Sequence, residues 1–120
     1  MSQYSEALFD TSVLPSAIET DDADILLSFY EMFIEVTRES WLQLPITPAS
    51  SELSRVRDIT HKLKSSAASV GALRLRSALQ SLEQQAADQQ ATGITEHIAQ
   101  TALVVAESLN AVQAHVDLIK

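Results

Sequence analysis

The sequence predicts an all-α protein, an antiparallel up-down-up-down four-helix bundle with a short N-terminal capping helix. Its 120 residues suit one domain, and two glycines, three prolines and 5% aromatic residues are too few for a turn-rich sandwich or barrel. Four long segments carry apolar residues at the helical period. We therefore expect a single domain over residues 1–120, with the short helix inside 1–20 and the bundle over 21–119.

The short helix is expected at about Ser12 to Glu19, and the first long helix at about Asp21 to Leu44. Thr20 is the predicted N-cap, three aspartates favour the positive helix start, and Pro45 helps to end the helix. The predicted core stripe of this helix consists of Ile25, Phe29, Met32, Phe33 and Val36.

The second long helix is expected to begin with Thr47 as its cap and Pro48 at its first helical position, a favoured pairing. Gly71 suits a left-handed cap at its end. Apolar or small residues recur at alternating spacings of three and four, which predicts one buried face: Leu53, Val56, Thr60, Leu63, Ala67 and Val70.

The third helix is expected from about Leu73 to Ala91, and Gly93 separates it from the fourth. Both helices show the same periodic pattern. The predicted core of the third is Leu75, Leu79, Leu82 and Ala86, and that of the fourth is Ile98, Ala102, Val105, Leu109, Val112, Val116 and Ile119.

Composition and charge exclude several classes of function. The chain has no cysteine, so it has no disulfide, thiolate metal site or cysteine nucleophile. Its net charge of −8 argues against nonspecific binding to nucleic acid or anionic membranes. We expect no secretory signal, because the first ten residues contain no basic residue and no long apolar stretch, and no run approaches the ~18 apolar residues of a membrane helix. A cytoplasmic location is expected.

The charge is unevenly distributed along the chain. Residues 55–76 contain six of the eight basic residues and one of the 16 acidic residues, a net charge of +5. His61 lies inside this basic segment. A positive segment in an acidic chain suggests a local task, such as holding an anion.

Helical geometry turns His61 away from the core, about 130° from the centre of the second helix's apolar stripe. Arg57 and Lys64 lie within about 60° of it, Ser65 about 40° to its other side, and Lys62 about 100° away. An exposed imidazole with cations beside it suits a nucleophile that takes up phosphate. An ordinary solvated histidine fits the same geometry, so both interpretations stay open at this point.

The run from His61 to Leu75, HKLKSSAASVGALRL, resembles the signature of histidine phosphotransfer (HPt) domains. That signature is His-x-Leu-Lys-Gly, then small residues, a Gly-Ala pair and a Leu three further on. Ser65 departs from it, because the family usually has glycine there, and Thr60 replaces a frequent alanine. The resemblance covers nearly the whole chain, including Phe9-Asp10 with Leu14, Phe29 to Val36, and Leu79-x-x-Leu82-Glu83.

The resemblance implies a phosphorelay intermediate without autokinase activity, not an enzyme. His61 would accept the phosphoryl group through Nε2, and Lys64 would steady it. The implied partners are the receiver domain of a hybrid sensor histidine kinase and that of a response regulator. The receiver would supply Mg²⁺, and this chain would bind no metal or cofactor and act as a monomer with an accessible histidine. The implied docking residues are Arg57, Lys62, Ser65 and Ala68, with the first long helix near Ser28 and Glu31.

Within the family, the run after His61 is most similar to single-domain members that act in quorum sensing. Two other classes of function remain. A non-phosphorylated helical adaptor would explain the bundle and the acidity but not the basic segment. A metal-carboxylate bundle enzyme would use Asp58-x-x-His61, but the chain has no second acid-x-x-His motif.

Overall fold

The computed structural model of the protein describes residues 6–120, which contain helices and no strand. Residues 1–5, part of the segment in which no secretory signal was found, lie outside the described residues. The five α-helices are α1 (Val13–Ala17), α2 (Ala23–Leu42), α3 (Leu53–Val70), α4 (Leu73–Ala87) and α5 (Ile94–Ile119), and a 3₁₀ turn (Ser50–Glu52) precedes α3. The predicted short helix and the four long helices are all present.

The four long helices pack as a bundle in which each contacts two others. Helix α2 packs against α3 and α5, α4 packs against the same two helices, and α1 lies against α3. The all-α prediction is thereby confirmed. The antiparallel up-down-up-down order stays a prediction.

Two clusters of buried side chains form the core. The larger includes Tyr30 of α2 and Leu63 of α3, and the smaller joins Val56 of α3 to Leu82 of α4 and Ile98 of α5. Trp41 and Ile59 pack against both clusters. Burial at the predicted positions of α3 and α4 is confirmed at Leu53, Val56, Thr60, Leu63, Ala67, Val70, Leu75, Leu79, Leu82 and Ala86.

Helix α5 also largely follows its predicted pattern. Four predicted positions are buried, namely Ile98, Val105, Val112 and Val116, and three are half-buried, namely Ala102, Leu109 and Ile119. By length and composition, α5 is the one helix within residues 6–120 that could cross a membrane, which the sequence reasoning did not expect. Core helices of soluble proteins pass the same test, and α5 packs on two neighbours.

The core stripe predicted for α2 is largely wrong. Phe33 is buried and Val36 half-buried, but Ile25, Phe29 and Met32 are exposed by 45%, 43% and 60%. The helix instead buries the stripe one residue further along the chain: Leu26, Tyr30, Phe33, Ile34 and Thr37. An apolar row on α2 is therefore left on the surface.

Three helix ends differ from the predicted ones. Asp22, not Thr20, caps α2, because its Oδ1 accepts the backbone N–H groups of Asp24 at 2.9 Å and Ile25 at 3.4 Å. Helix α3 begins at Leu53 rather than near Pro48, because the 3₁₀ turn comes first. Helix α4 ends at Ala87, four residues before the predicted end.

Gly71 ends α3 in the left-handed conformation, with φ of 90°, as predicted. Its carbonyl accepts the backbone N–H of Asp10 at 2.8 Å. A Cβ at this position would lie 2.2 Å from the Asp10 carbonyl oxygen. Glycine is therefore required both for the backbone angle and for the close approach of the N-terminal segment.

Candidate functional site

His61 projects from the middle of α3 into solvent. Thr60 before it is fully buried, Leu63 after it is 1% exposed, and the His61 side chain is 67% exposed. The buried Thr60 hydroxyl donates to the Val56 carbonyl at 2.8 Å, so this polar side chain is satisfied within its own helix. The outward orientation predicted for His61 agrees with this geometry.

The imidazole is held from one side by a carboxylate of the neighbouring helix. His61 Nδ1 lies 2.7 Å from Oε2 of Glu83 on α4. Glu83 follows the fully buried Leu82, and only 17% of its side chain is exposed. The contact fixes the ring relative to α4 and leaves Nε2 without a partner among the described residues.

Lys64 contacts the other oxygen of the same carboxylate. Its Nζ donates to Glu83 Oε1 at 2.7 Å, and the lysine side chain is 27% exposed. His61 and Lys64 lie three residues apart on α3, which places both side chains beside α4. Glu83 thus joins the two residues that the sequence singled out as nucleophile and phosphate-holding cation.

The protonation of this triad follows from its contacts. Partial burial opposes ionisation of Glu83, but hydrogen bonds from Lys64 and His61 and their charges lower the pKa of its carboxyl. An ionised carboxylate only accepts hydrogen bonds, so Nδ1 of His61 carries the hydrogen of this contact. In the neutral ring, Nε2 then holds the free lone pair, which is the nucleophilic position.

The basic segment does not form one patch around His61. Arg57 pairs with Asp58 of its own helix at 3.3 Å, and Lys62 is exposed. Arg74 donates through Nε to the Glu6 carbonyl at 3.3 Å, and its backbone N–H donates to the Ala7 carbonyl. Arg57 and Arg74 of the segment therefore bind groups other than His61. Lys64 is the cation of the segment that shares Glu83 with His61.

A shallow apolar groove lies between α2 and the C-terminal half of α3. It has a volume of about 200 Å³ and is lined by Phe29, Met32, Phe33, Val36, Ser66, Ser69 and Val70. The two other predicted docking residues lie close by along α3, where Ser65 is exposed and Ala68 half-buried. The exposed row of α2 thus lies beside the helix that bears His61.

Glu83 is the functional candidate that sequence reasoning did not assign. The sequence placed it in the Leu79-x-x-Leu82-Glu83 pattern of the third helix but gave it no role. A signal was present, because helical geometry places Glu83 about 70° from the centre of the stripe formed by Leu75, Leu79, Leu82 and Ala86, at the edge of the buried face. The ligand pattern Asp58-x-x-His61 is not assembled, since Asp58 pairs with Arg57 and His61 with Glu83.

Comparison with known proteins gives one match. The family model described as "Hpt domain" matches residues 26–115, which is most of the chain and includes α3 and α4 in full. The comparisons with curated proteins and with solved structures returned no match.

Proposed function

Because the chain belongs to the Hpt domain family, whose members carry phosphoryl groups on histidine in two-component signalling, we propose that His61 is its phosphoacceptor. The observation that carries the proposal is the contact of His61 Nδ1 with Glu83 at 2.7 Å on a ring that is 67% exposed. It directs the nucleophilic Nε2 outwards, where a partner's phosphoryl group can approach.

The proposed reaction is transfer of a phosphoryl group between receiver aspartates. The Nε2 lone pair attacks the phosphorus of an aspartyl phosphate, an N–P bond forms, and the P–O bond to the aspartate breaks. The aspartate leaves as a carboxylate with the electron pair of that bond. Transfer to the second receiver reverses these steps, so this chain contributes a positioned nucleophile rather than a complete active site.

The proposed partners are two receiver domains, one from a hybrid sensor histidine kinase and one from a response regulator. Members of the family are phosphocarrier modules and not kinases. We propose that Mg²⁺ belongs to the receiver and that this chain binds no cofactor. We also propose that the protein acts as a monomer, because His61 must stay accessible to both receivers. Its proposed location is the cytoplasm.

We propose that the receiver docks over His61 and the apolar groove between α2 and α3. Met32 is 60% exposed and Phe29 43%, and both line the groove beside Ser66 and Ser69. Burial of exposed apolar side chains favours association, and a largely aliphatic and aromatic row suits a protein partner. Ser65, in place of the family's usual glycine, narrows the approach and tunes the choice of receiver.

A finer proposal concerns the pathway. The run from Leu63 to Ser69 with the Gly-Ala pair at 71–72 resembles the quorum-sensing phosphorelay protein LuxU of marine bacteria. We propose that this chain acts in a quorum-sensing relay. A phosphotransfer screen against the receivers of its own organism tests this, and transfer confined to receivers of other pathways would contradict it.

The central experiment is phosphotransfer to variants of this chain. A radiolabelled phosphorylated receiver should transfer acid-labile label to the wild type and not to His61→Gln. His97→Gln is the matched control, because it removes a half-buried histidine on α5 that contacts Gln85. It should be labelled like the wild type.

Label that persists on His61→Gln would contradict the assignment of the phosphoacceptor. Binding of the receiver to the wild type without any transfer would replace the proposal with the helical adaptor. Circular dichroism of each variant establishes that the helices are intact.

A further inference from the structure

We propose that Glu83 keeps the Nδ1 proton on the phosphorylated ring of His61 and thereby sets how long the phosphohistidine survives. This inference rests on the proposed function of His61 as phosphoacceptor. It assigns to Glu83 a positioning role on the carrier state itself, in addition to its orientation of the free ring.

The Glu83 carboxylate contacts the ring at the nitrogen that is not the proposed site of phosphorylation. Glu83 Oε2 lies 2.7 Å from Nδ1, and the carboxylate is only 17% exposed. The contact lies on the side of the ring opposite to the proposed site of phosphorylation, so a phosphoryl group on Nε2 leaves it in place. The carboxylate is thus a permanent neighbour of the Nδ1–H group in both states of the carrier.

The phosphorylated ring is first formed with a positive charge. When neutral imidazole attacks through Nε2 and keeps its Nδ1 hydrogen, the product ring is a phosphorylated imidazolium with a positive charge. A neighbouring anion favours that cation over the neutral ring that forms when the Nδ1 proton is lost. The low exposure of Glu83 strengthens this preference, since water screens the pair less.

The charge of the ring decides how readily the N–P bond breaks. From the protonated ring, the electron pair of that bond returns to Nε2, and neutral imidazole leaves. From the deprotonated ring, the leaving group would be an imidazolate anion, which is much less stable. A carboxylate that retains the Nδ1 proton therefore keeps the phosphoryl group labile towards both a receiver aspartate and water.

In this proposal Lys64 changes its hydrogen-bond partner when His61 is phosphorylated. In the unphosphorylated protein, Lys64 shares Glu83 with His61. The phosphoryl group brings up to two negative charges, which attract Lys64 Nζ away from the carboxylate. The charge of Glu83 then acts mainly on the ring.

The other charged groups around α3 are engaged elsewhere or make no contact with the ring. Asp58 pairs with Arg57, the Glu52 carboxylate accepts the Ala49 backbone N–H, and α1 carries no titratable side chain. Within residues 6–120, no hydrogen bond or ion pair joins the ring to the remaining charged residues of α2, α3 and α4, namely Asp24, Glu31, Glu35, Arg38, Glu39, Arg55, Lys62, Arg74 and Arg76. Glu83 is the titratable group in contact with Nδ1.

The test is the lifetime of the label on the purified phosphorylated protein. Wild type and Glu83→Gln are phosphorylated with phosphoramidate, freed of the reagent, and followed by phosphate release between about pH 5 and 9. Glutamine keeps the shape and an accepting oxygen but removes the charge. We expect the midpoint of the pH profile to fall by about one unit in Glu83→Gln, so that at pH values above both midpoints the label lasts roughly tenfold longer.

The matched control is Asp58→Asn, which removes a carboxylate three residues from His61 that contacts Arg57 and not the ring. Its pH profile should follow the wild type. Identical profiles for wild type and Glu83→Gln would overturn the inference, as would an equal shift in Asp58→Asn.

A second measurement needs no variant. ¹⁵N NMR of the phosphorylated wild type should show Nδ1 of His61 protonated well above neutral pH, and a deprotonated Nδ1 at neutral pH would also overturn the inference. Failure of the proposed function is a separate result, since it means no acid-labile label on the wild type or label that persists on His61→Gln.

Discussion

Lys64 Nζ and Glu83 Oε1 lie 2.7 Å apart, although the two residues are 19 positions apart in the sequence. The cation expected to hold a phosphoryl group is therefore held by a carboxylate in the unphosphorylated protein. This contact holds Lys64 on the same carboxylate as His61 before any phosphoryl group is present. The carboxylate then competes with the phosphoryl group for the charge of Lys64. To hold a phosphoryl group on Nε2, Lys64 has to leave Glu83, which contacts the opposite nitrogen of the ring.

Replacement of Lys64 by alanine should slow transfer from a phosphorylated receiver roughly tenfold, because one charge-assisted contact to the transferring group is lost. Rapid-quench measurement of label transfer checks this. Arg55→Ala is the matched control, since Arg55 is an exposed cation of the same helix that projects about 120° away from His61. Equal rates for Lys64→Ala and the wild type would remove the proposed role of Lys64.

The sequence predicted the helix that bears His61 better than the helix beside it. All six core positions of α3 were correct because its other faces carry charged and hydroxyl side chains. Helix α2 offers two stripes with the same spacing, one through Ile25, Phe29, Met32 and Val36 and one through Leu26, Tyr30, Phe33 and Thr37. Periodicity cannot choose between stripes that differ by one residue, and packing against α3 and α5 decides in favour of the second.

The site shows the same limit. Helical geometry placed His61 outwards and Lys64 beside it, because both statements concern one helix. The partner of both residues is on another helix, and the relative rotation and height of α3 and α4 are set by their packing. Sequence spacing therefore predicted the nucleophile and the cation, and only the fold brings Glu83 to both.

The exposed row of α2 should contribute to receiver binding and little to folding. Met32→Gln is expected to weaken binding of a cognate receiver about tenfold, because Met32 is 60% exposed and an apolar contact with the partner is lost. The free energy of unfolding should change by less than about 0.5 kcal/mol. Isothermal titration calorimetry and urea denaturation measure the two effects.

Leu118→Gln is the control for this docking prediction, because Leu118 is 81% exposed and lies at the end of α5. It removes a similar apolar side chain that does not line the groove between α2 and α3, and it should bind the receiver like the wild type. A loss of affinity that is as large in Leu118→Gln as in Met32→Gln would indicate a different docking surface.

Gly71, between α3 and α4, and Gly93, before α5, form a matched pair that separates the cost of backbone strain from the cost of a steric clash. Both have positive φ, 90° and 80°, but a Cβ at Gly71 would strike the Asp10 carbonyl, whereas a Cβ at Gly93 meets nothing within 4 Å. We expect Gly93→Ala to cost about 1–2 kcal/mol for the backbone angle alone. Gly71→Ala should cost roughly 2–4 kcal/mol, because the N-terminal segment must also move.

Urea denaturation with unchanged slopes measures the two costs. Equal destabilisation by the two substitutions would mean that the Asp10–Gly71 contact is dispensable for the fold. We also expect faster proteolysis near Asp10 in Gly71→Ala and not in Gly93→Ala, because only the first substitution displaces the N-terminal segment.

Glu83 should also give the fold a defined dependence on pH. Its pKa lies below the ordinary 4.5, so its ionised form stabilises the folded state, and this stabilisation is present above that value and lost as the pH falls through the folded pKa. At neutral pH, Glu83→Gln should lower the free energy of unfolding by about 1 kcal/mol, because charge-assisted contacts to Lys64 and His61 are weakened. Below about pH 4 the difference between variant and wild type should shrink towards zero, since the protonated acid resembles the amide. The control is Asp88→Asn, because Asp88 is an exposed carboxylate at the end of α4 whose partner within residues 6–120 is the Gln84 amide. Its stability relative to the wild type should show no such convergence at low pH. A difference for Glu83→Gln that stays constant down to low pH would mean that the substitution costs stability through packing and not through charge.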